Sequence, residues 1–473
     1  MRVQNLGPIK DCELTLGQQT MFMGKNNTGK TYISYLYYGI FKKLNELKDE
    51  LLETYIKEHF DEYVDELTFT INKRTLTDYL IKYCTLRLNN EIHILLPRLF
   101  NINELEFEQT KIVIEESDTA SFLESFTKIE LPTILKFIIL PYSVEIEVKE
   151  NNNAIIIKLI NIQDIRKNKR DTDEISTSII EQAFKRSVSR ALISNVFCVS
   201  DILYIPAERN GINVFRKELA LKRSVDSFDF DSHTRQTEIY PLPISDYIRY
   251  LVEIEQLEDF NDLDELDNEN LDQLQADIWS LFSTAILHGK YEYDHNTNEY
   301  YYRELISNLP DNLKRSNGEL EYKNGRIALQ HASSSVKSLF GLEFYLKHEV
   351  TAGDILFIDE PEMNLDPMRQ IKFAELISKL SQNGVRVIVS SHSDYLIRAT
   401  TNQILKAQLD DEKKWDTMGY YFDDGTVRPL PNLEAMDYIE IFDNANRELD
   451  DAYFNLRDRL LSQSAHGERS NKV

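Results

Sequence analysis

Eight residues near the N-terminus, residues 24–31, match the spacing G-x-x-x-x-G-K-[ST] at every fixed position. The pattern predicts a loop whose backbone N–H groups bind phosphate, with Lys30 reaching the terminal phosphates and the Thr31 hydroxyl holding Mg²⁺. A glycine-containing turn followed by a chance Lys-Thr pair is the alternative. The loop residues that we expect to contact a nucleotide are Gly24, Asn26, Asn27, Thr28, Gly29, Lys30 and Thr31.

The flanks of this loop favour the phosphate site over a chance turn. An apolar run at 20–23 predicts a buried strand before the loop, and residues 32–38 begin a stretch with helical spacing that continues towards residue 67. A helix that begins at the loop adds the positive end of its dipole, which attracts anions.

A second set of polar residues follows two apolar runs far along the chain. Residues 355–358 predict a central parallel strand that ends at Asp359 and Glu360. Because neighbouring residues at a strand end point to different sides, Asp359 can hold Mg²⁺ or its water while Glu360 orients and deprotonates an attacking water. Residues 386–391 predict another strand, which would bring His392 to the γ-phosphate, although a lone histidine is more often structural.

These elements together resemble the ABC-type ATPase clade. Residues 359–362, 364–367 and 391–393 resemble its Walker B motif, D-loop and His switch. The resemblance implies an α/β P-loop ATPase head that hydrolyses ATP with Mg²⁺, with Lys30, Glu360 and His392 as catalytic residues and Asp366 near the nucleotide. It also implies a pair of heads that face each other.

The same clade carries a signature segment, which binds the γ-phosphate held by the opposite subunit. Residues 331–339 lie where this segment belongs, upstream of Walker B, and Ser333, Ser334 and Ser335 are its expected contacts. Hydroxyls and free N–H groups at a helix start suit an anion. Serines stand here where the clade usually has glycines, which allow the closest backbone approach.

A closer resemblance is to the overcoming-lysogenization-defect-like group (AAA15/AAA21 ATPases). It rests on Gly7-Pro8-Ile9, on residues 204–209, on the Ala-Ser-Ser-Ser signature and on Asp-Glu-Pro-Glu. Many such proteins are ATPase subunits of bacterial anti-phage systems. Among these systems, the chain resembles the ATPase subunit of PARIS first and that of Septu second. Only 81 residues follow His392, with one acidic doublet at 423–424, so we expect a separate effector protein, a nuclease, rather than a fused one.

Other classes fit less well. The separation between residues 31 and 331 is too long for a transporter ATPase, and the heptad arms and CxxC hook of an SMC or Rad50-like repair ATPase are absent from the sequence. An ATP-binding scaffold or sensor with little turnover remains an alternative, against which the intact Glu360 argues.

Composition limits the partners. The 473 residues are 42% hydrophobic, without an 18-residue apolar run, so we expect no membrane span. The N-terminus lacks a signal-peptide pattern, and Cys12, Cys84 and Cys198 stand far apart, which together favour the cytoplasm. A net charge of −25 disfavours general DNA binding.

Local binding of DNA or a phage protein stays open at two basic groups, residues 166–170 and the group Arg216, Lys217, Lys222 and Arg223. Solvated loops with charges of both signs are the more ordinary interpretation of both. From 253 to 272 there are ten acidic residues and no Lys or Arg, which indicates a helical, solvent-facing or partner-facing projection.

We therefore expect an ATPase head interrupted by insertions. Its N-terminal half spans 1–41, and a mixed α/β and helical insertion spans 42–200, with strands near 112–114, 143–148 and 154–157 and a helix at 177–195. A head segment at 201–215 carries a strand at 202–205 and a charged pair at 208–209, either at the ligand site or in a loop salt bridge. A helical acidic insertion with a tyrosine-rich hairpin then spans 216–320. The C-terminal half of the head spans 321–410, and an extension spans 411–473.

Overall fold

A computed structural model describes most of the chain. The described residues are 1–65, 68–127, 134–139, 142–149, 154–161, 201–226, 240–260, 273–306, 322–409, 414–430, 444 and 447–457. The helix predicted at 177–195, the basic group at 166–170 and the acidic residues 261–272 lie outside them.

A nine-stranded sheet forms the centre of the structure, in the order β10-β14-β15-β3-β16-β17-β2-β1-β6. Strands β10, β14, β15, β3 and β16 are mutually parallel, and the far end, from β2 to β6, is antiparallel. The strands of this sheet are β1 (Arg2–Leu6), β2 (Ile9–Glu13), β3 (Gln19–Gly24), β6 (Lys111–Val113), β10 (Ile202–Ile205), β14 (Ile355–Asp359), β15 (Arg386–Ser391), β16 (Thr417–Asp423) and β17 (Thr426–Leu430).

The three central strands match the apolar runs of the sequence. Every residue of β3, β14 and β15 is buried. Alternate residues of β14 pack into two different clusters, Ile355 and Phe357 on one face and Leu356 and Ile358 on the other. A strand with cores on both faces must be apolar throughout, which is why these runs are continuous rather than alternating.

Helices cover both faces of the sheet. The first face carries α1 and α2, and the second carries helices that follow residue 240. The α-helices are α1 (Lys30–Tyr63), α2 (Lys73–Phe100), α3 (Glu116–Thr127), α4 (Arg209–Asp226, kinked at Phe215), α5 (Leu242–Phe260), α6 (Gln273–Leu281), α7 (Ser334–Phe344), α8 (Pro367–Gln382) and α9 (Asp394–Leu409). None of the described helices has both the length and the apolar character needed to cross a membrane.

Helix α2 has no counterpart in our predictions, although its boundaries are marked in the sequence. The side chain of Asn72 accepts hydrogen bonds from the N–H groups of Arg74 and Thr75, which caps the start. Asn101, in the left-handed conformation, ends the helix. The buried face of α2 packs against α1, so the first insertion begins as an antiparallel helical pair.

Two smaller sheets lie outside the central one. β11 (Gly289–Asp294), β12 (Glu299–Leu305) and β13 (Tyr322–Ala328) form one, and its first two strands are the predicted tyrosine-rich hairpin. The other contains β4 (Val64–Asp65), β5 (Thr68–Asn72), β7 (Ile134–Ile139), β8 (Tyr142–Lys149) and β9 (Ala154–Asn161). Strands β8, β9 and β6 correspond to the predicted strands of the first insertion.

The N-terminal hairpin differs from its prediction. Alternating apolar and polar residues at 3–9 and 12–16 predict two strands, with Gly7-Pro8 as a turn or a bulge, but the first strand ends at Leu6 and the second begins at Ile9. Gly7 has a φ of +53°, a left-handed conformation that suits a tight turn. Gly7-Pro8 is therefore the turn between the two strands, and β2 starts directly after it.

The segment after residue 410, which we expected as an extension, takes part in the head itself. β16 lies beside β3, with Phe422 opposite Gly24, and β17 joins β16 to β2. Sequence patterns did not show this because the pairing joins residues about 400 positions apart.

The turn between β16 and β17 is held against the turn at Gly7-Pro8. Gly425 has a φ of +80°, and a Cβ atom there would lie 2.5 Å from the carbonyl oxygen of Pro8. We expect Gly425→Ala to lower the free energy of unfolding by about 1–3 kcal/mol, because alanine is both strained and crowded there. Denaturant unfolding of the full chain measures this.

Gly325→Ala is the matched control, since a Cβ atom at Gly325 meets nothing within 4 Å. It should change the free energy of unfolding by no more than about 0.5 kcal/mol. Equal stability of the two variants would show that the contact between the two turns does not hold the sheet together.

Candidate nucleotide site

The loop between β3 and α1 approaches its neighbours too closely for any residue but glycine at two positions. Gly24 has a φ of +135°, and a Cβ atom there would lie 2.1 Å from the carbonyl oxygen of Phe422. Gly29 has a φ of +101°, and its Cβ atom would lie 2.5 Å from Ile9. The two fixed glycines of the motif therefore let the loop wrap tightly around the start of α1.

A cavity of about 430 Å³ opens above this loop. It joins the loop to residues that end β14 and β15, although 330 positions separate Lys30 from Glu360. The lining residues are Pro8, Asn26, Asn27, Thr28, Gly29, Lys30, Thr31, Tyr32, Glu360, Ser390 and His392. The parallel strands end at the same edge of the sheet, which is what brings these residues together.

Lys30 is buried and points back at its own loop. Its ammonium group donates to the carbonyl oxygens of Gly24 (3.1 Å) and Lys25 (2.6 Å). Burial lowers the pKa of Lys30 to about 8, although the carboxylates of Glu360 and Asp359 oppose the shift. An anion in the cavity would favour the charged form of this lysine.

Asp359 is buried beneath the cavity and is held by two hydroxyl groups. Tyr204 donates to one carboxylate oxygen (2.5 Å) and Ser390 to the other (2.6 Å). Burial raises the pKa of Asp359 to about 6, and the two hydrogen bonds oppose that shift. Asp359 does not line the cavity itself, but Ser390 does, so the carboxylate lies one side chain away from it.

Glu360 and His392 face each other across the cavity, with Oε1 and Nε2 3.4 Å apart. The hydrogen bond from His392 lowers the pKa of Glu360. Glu360 also has a positive φ of 46°, and its backbone N–H donates to the carbonyl oxygen of Ser390 (3.0 Å). Such strain in a non-glycine residue is found where the surroundings impose it, often at functional sites.

Two supporting residues were missed or misread from the sequence. Glu362 accepts from the hydroxyl of Ser391 (3.0 Å) and from the backbone N–H of His392 (2.6 Å), which fixes the loop that carries the histidine. Arg209, which we expected at the ligand site or in a salt bridge, instead donates to the carbonyl oxygens of Asp359 (2.7 Å) and Glu360 (2.8 Å). The repeated acid in Asp-Glu-Pro-Glu was the signal for Glu362. For Arg209, no pattern in the sequence indicated that it would bind backbone carbonyls.

The predicted signature serines lie at the start of α7. Ser333 caps the helix by accepting from the N–H of Val336 (3.4 Å), and its hydroxyl is 2.9 Å from that of Ser335. Among the described residues, neither these two serines nor Ser334 line the cavity of their own chain. All three are partly or fully exposed on one surface.

The D-loop residue Asp366 caps the next helix, α8. Its carboxylate accepts from the N–H groups of Met368 (3.0 Å) and Arg369 (3.2 Å). Arg369 in turn donates to the hydroxyl of Ser335 (3.3 Å), so the helix that follows the predicted D-loop contacts a signature serine of the same chain. Asp366 does not line the described cavity either.

Several described members of the basic and acidic groups make contacts within the chain. Arg216 is buried, and its guanidinium pairs with the carboxylate of Glu255. Lys217 donates to the carbonyl oxygen of Asn298 (2.6 Å). Asp423, of the acidic doublet, pairs with Lys25 of the phosphate loop (2.9 Å).

The chemistry of the donors fits a magnesium–nucleotide complex. Within the described residues no group of three or more His, Cys, Asp or Glu could hold a metal alone. Mg²⁺ ordinarily keeps waters and takes only one or two protein ligands together with phosphate oxygens. Thr31 lines the cavity and Asp359 lies beneath it, so these two residues are the candidates for such a partial site.

The fold and the site define a class, the P-loop α/β ATPase head interrupted by insertions. A family model described as an AAA ATPase domain (AAA_15) matches residues 1–397. The chain belongs to this family. Among curated proteins, none matches the sequence.

Three of the similar solved structures are heads of SMC proteins. One is an Smc head bound to the C-terminal winged-helix domain of ScpA (10% identity, 92% of this chain and 98% of that chain, TM-score 0.30). A second, derived from Pyrococcus furiosus, is an Smc head with an extended coiled coil (12% identity, 96% of this chain and 98% of that chain, TM-score 0.29). A third is an SMC head from Thermotoga maritima (10% identity, 91% of this chain and 97% of that chain, TM-score 0.27). These low scores assign no activity or partner to the present chain.

Tyr204→Phe tests the support of Asp359. We expect it to destabilise the fold by about 1–3 kcal/mol, because a buried carboxylate loses one of two donors. Removing that bond should also raise the pKa of Asp359 further, so Mg²⁺-dependent nucleotide binding should weaken and its loss on acidification should begin at higher pH. Denaturant unfolding and nucleotide titrations with and without Mg²⁺ measure these effects.

Tyr35→Phe is the control, since the ring of Tyr35 packs edge-on against Tyr204 at 5.2 Å without bonding the carboxylate. It should leave the pH dependence of binding unchanged. Identical binding profiles for both variants would contradict a role for the Tyr204 hydroxyl.

Proposed function

We propose that this protein binds and hydrolyses ATP with Mg²⁺, and that two copies complete each site face to face. The observation that carries this is the single cavity lined by the phosphate loop, Glu360 and His392. A glycine turn serving only structure would not need a buried lysine and two reactive side chains at its mouth. The family assignment supports the same conclusion.

The residues divide the work as follows. The loop N–H groups and Lys30 bind the phosphates, and Thr31 and Asp359 hold Mg²⁺, whose charge offsets that of the phosphate oxygens. The hydrogen bond from His392 lowers the pKa of Glu360, which favours the carboxylate form that can accept a proton from water. His392, 3.4 Å away, orients Glu360 and reaches towards the terminal phosphate.

The signature serines support the proposal of a shared site. They lie at a helix N-terminus, which suits an anion, yet they do not line the cavity of their own chain. Asp366 and Arg369 border the same surface through the contact of Arg369 with Ser335. A second copy would bring this surface to the open cavity, with Ser333, Ser334 and Ser335 against the γ-phosphate.

Glu360→Gln tests the role of the base. The variant should bind ATP as tightly as the wild type but hydrolyse it about 10²–10³-fold more slowly, since glutamine cannot accept a proton. It should also accumulate as a closed dimer in ATP. Phosphate release and light scattering measure this, and normal turnover would remove Glu360 from the role.

Mixing two inactive variants tests the shared site. Lys30→Ala should not bind nucleotide, and Ser334→Arg should bind it but fail to complete its neighbour. A mixed pair keeps one site with an intact Lys30 from one copy and intact serines from the other. Each mixed pair should therefore recover at most about half of the ATPase activity of a wild-type pair. Two copies of the same variant, at equal total concentration, are the control, and a mixture that stays inactive would contradict the arrangement.

For the biological role we propose control of a separate effector protein in bacterial anti-phage defence. The resemblance of the signature, Walker B and N-terminal motifs to the AAA15/AAA21 group supports it, and we expect a cytoplasmic protein whose effector is a nuclease. Contacts with DNA or a phage protein would have to be local, given the net charge of −25. Co-purification from the native host followed by mass measurement tests this. Recovery of a DNA-repair nuclease complex would favour a Rad50-like role, and a lone dimer with slow turnover would favour a sensor.

A further inference from the structure

Two buried polar residues one helical turn apart connect the catalytic loop with the signature helix of the same chain. Arg209, at the start of α4, is 3% exposed and donates to the backbone carbonyls of Asp359 and Glu360. Asn213 is fully buried and donates to the backbone carbonyl of Lys337 in α7 (2.7 Å). Because residues i and i+4 lie on the same face of a helix, one turn of α4 contacts both elements.

Each end of this connection is fixed by further contacts. The guanidinium of Arg209 also donates to the carbonyl of Pro206 (3.2 Å), which anchors it to the end of β10. The side-chain oxygen of Asn213 accepts from the hydroxyl of Tyr247 (2.8 Å), and Arg216 donates to its backbone carbonyl (2.7 Å). The link is therefore built from satisfied, buried hydrogen bonds, which hold a geometry more strictly than apolar contacts do.

The signature helix is correspondingly confined. A Cβ atom at Gly341 would lie 2.3 Å from the hydroxyl of Tyr247, so α7 packs directly on α5. Tyr291, in the small three-stranded sheet, donates to the carbonyl of Val336. A displacement of α4 would therefore pass to the first turn of α7, where the serines lie, because close-packed elements move together.

We infer that the first turn of α4 couples the catalytic loop of a head to that head's own signature serines, with Arg209 and Asn213 as positioning residues. The inference rests on the proposed function, because those serines act on the ATP of the second copy. Nucleotide at one site then adjusts the surface that completes the other site. The strained φ of Glu360 lies at the end where the nucleotide would act.

The test follows hydrogen exchange in a single head. The Ser334→Arg background should bind ATP without pairing, so any effect on α7 travels within one chain. We expect Mg²⁺-ATP to slow exchange in the loop at 24–31 and in the helix Ser334–Phe344, the latter by about tenfold. Arg209→Lys should abolish the response of the helix while keeping that of the loop, since one ammonium cannot span two carbonyls.

A pair of variants isolates the bond to Lys337. Asn213→Leu combined with Tyr247→Phe removes both the bond from Asn213 to the Lys337 carbonyl and the bond from Tyr247 to Asn213. Tyr247→Phe alone keeps the bond to Lys337 and leaves the side-chain oxygen of Asn213 unpaired. We expect the double variant to lose the response of α7 and the single variant to keep it. General destabilisation would affect the single variant as well, because that variant leaves a buried oxygen unpaired.

The outcomes separate the two proposals. Protection of the loop without any response in α7, or a response that survives in both Arg209→Lys and the double variant, overturns the coupling and leaves the proposed function standing. If Mg²⁺-ATP slows exchange at 24–31 in neither the Ser334→Arg protein nor the wild type, the proposed function is overturned, and the coupling with it.

Discussion

Charge buried at one edge of the central sheet is the constraint on which this structure depends. β3, β14 and β15 run parallel, so the residues at their ends meet there. An unpaired charge in such surroundings costs several kcal/mol, and it shifts its pKa rather than remain charged. Lys30 and Asp359 show this directly, since burial lowers the pKa of the one to about 8 and raises that of the other to about 6.

The neighbouring residues are selected to offset this cost. Lys30 is satisfied by carbonyl oxygens of its own loop, and Asp359 by the hydroxyls of Tyr204 and Ser390. Under the proposed function, a phosphate would replace the carbonyl oxygens as the partner of Lys30, and a cation would replace the hydroxyl protons at Asp359. The site is thus held in shape while its charges remain available.

Backbone groups do as much as side chains to fix the reactive residues. Glu360 is held through its N–H by Ser390 and through its carbonyl by Arg209, and His392 is held through its N–H by Glu362. Contacts to the backbone leave the side chains free to act. They also tie each reactive residue to a different element, so that a change at the cavity is felt by α4 and by the loop after β15.

The sequence by itself determined the chemistry and its local supports. The phosphate loop, the three central strands, the tyrosine hairpin and the positions of Asp359, Glu360 and His392 follow from fixed spacing and apolar runs, which are local properties. Only the tertiary structure decided that β16 and β17 belong to the central sheet and that the Gly7-Pro8 turn, which the sequence predicted as a turn or a bulge, packs against the second hairpin. It also decided that Arg209 supports Walker B instead of facing a ligand. Helix α2 was missed although its caps are local and its buried residues recur at helical spacing. Large apolar residues such as Leu86 and Ile94 also stand on its exposed side, which obscures the pattern in the sequence. The remaining differences have one physical reason: hydrogen bonds and close packing between residues hundreds of positions apart leave no periodic trace in the chain that forms them.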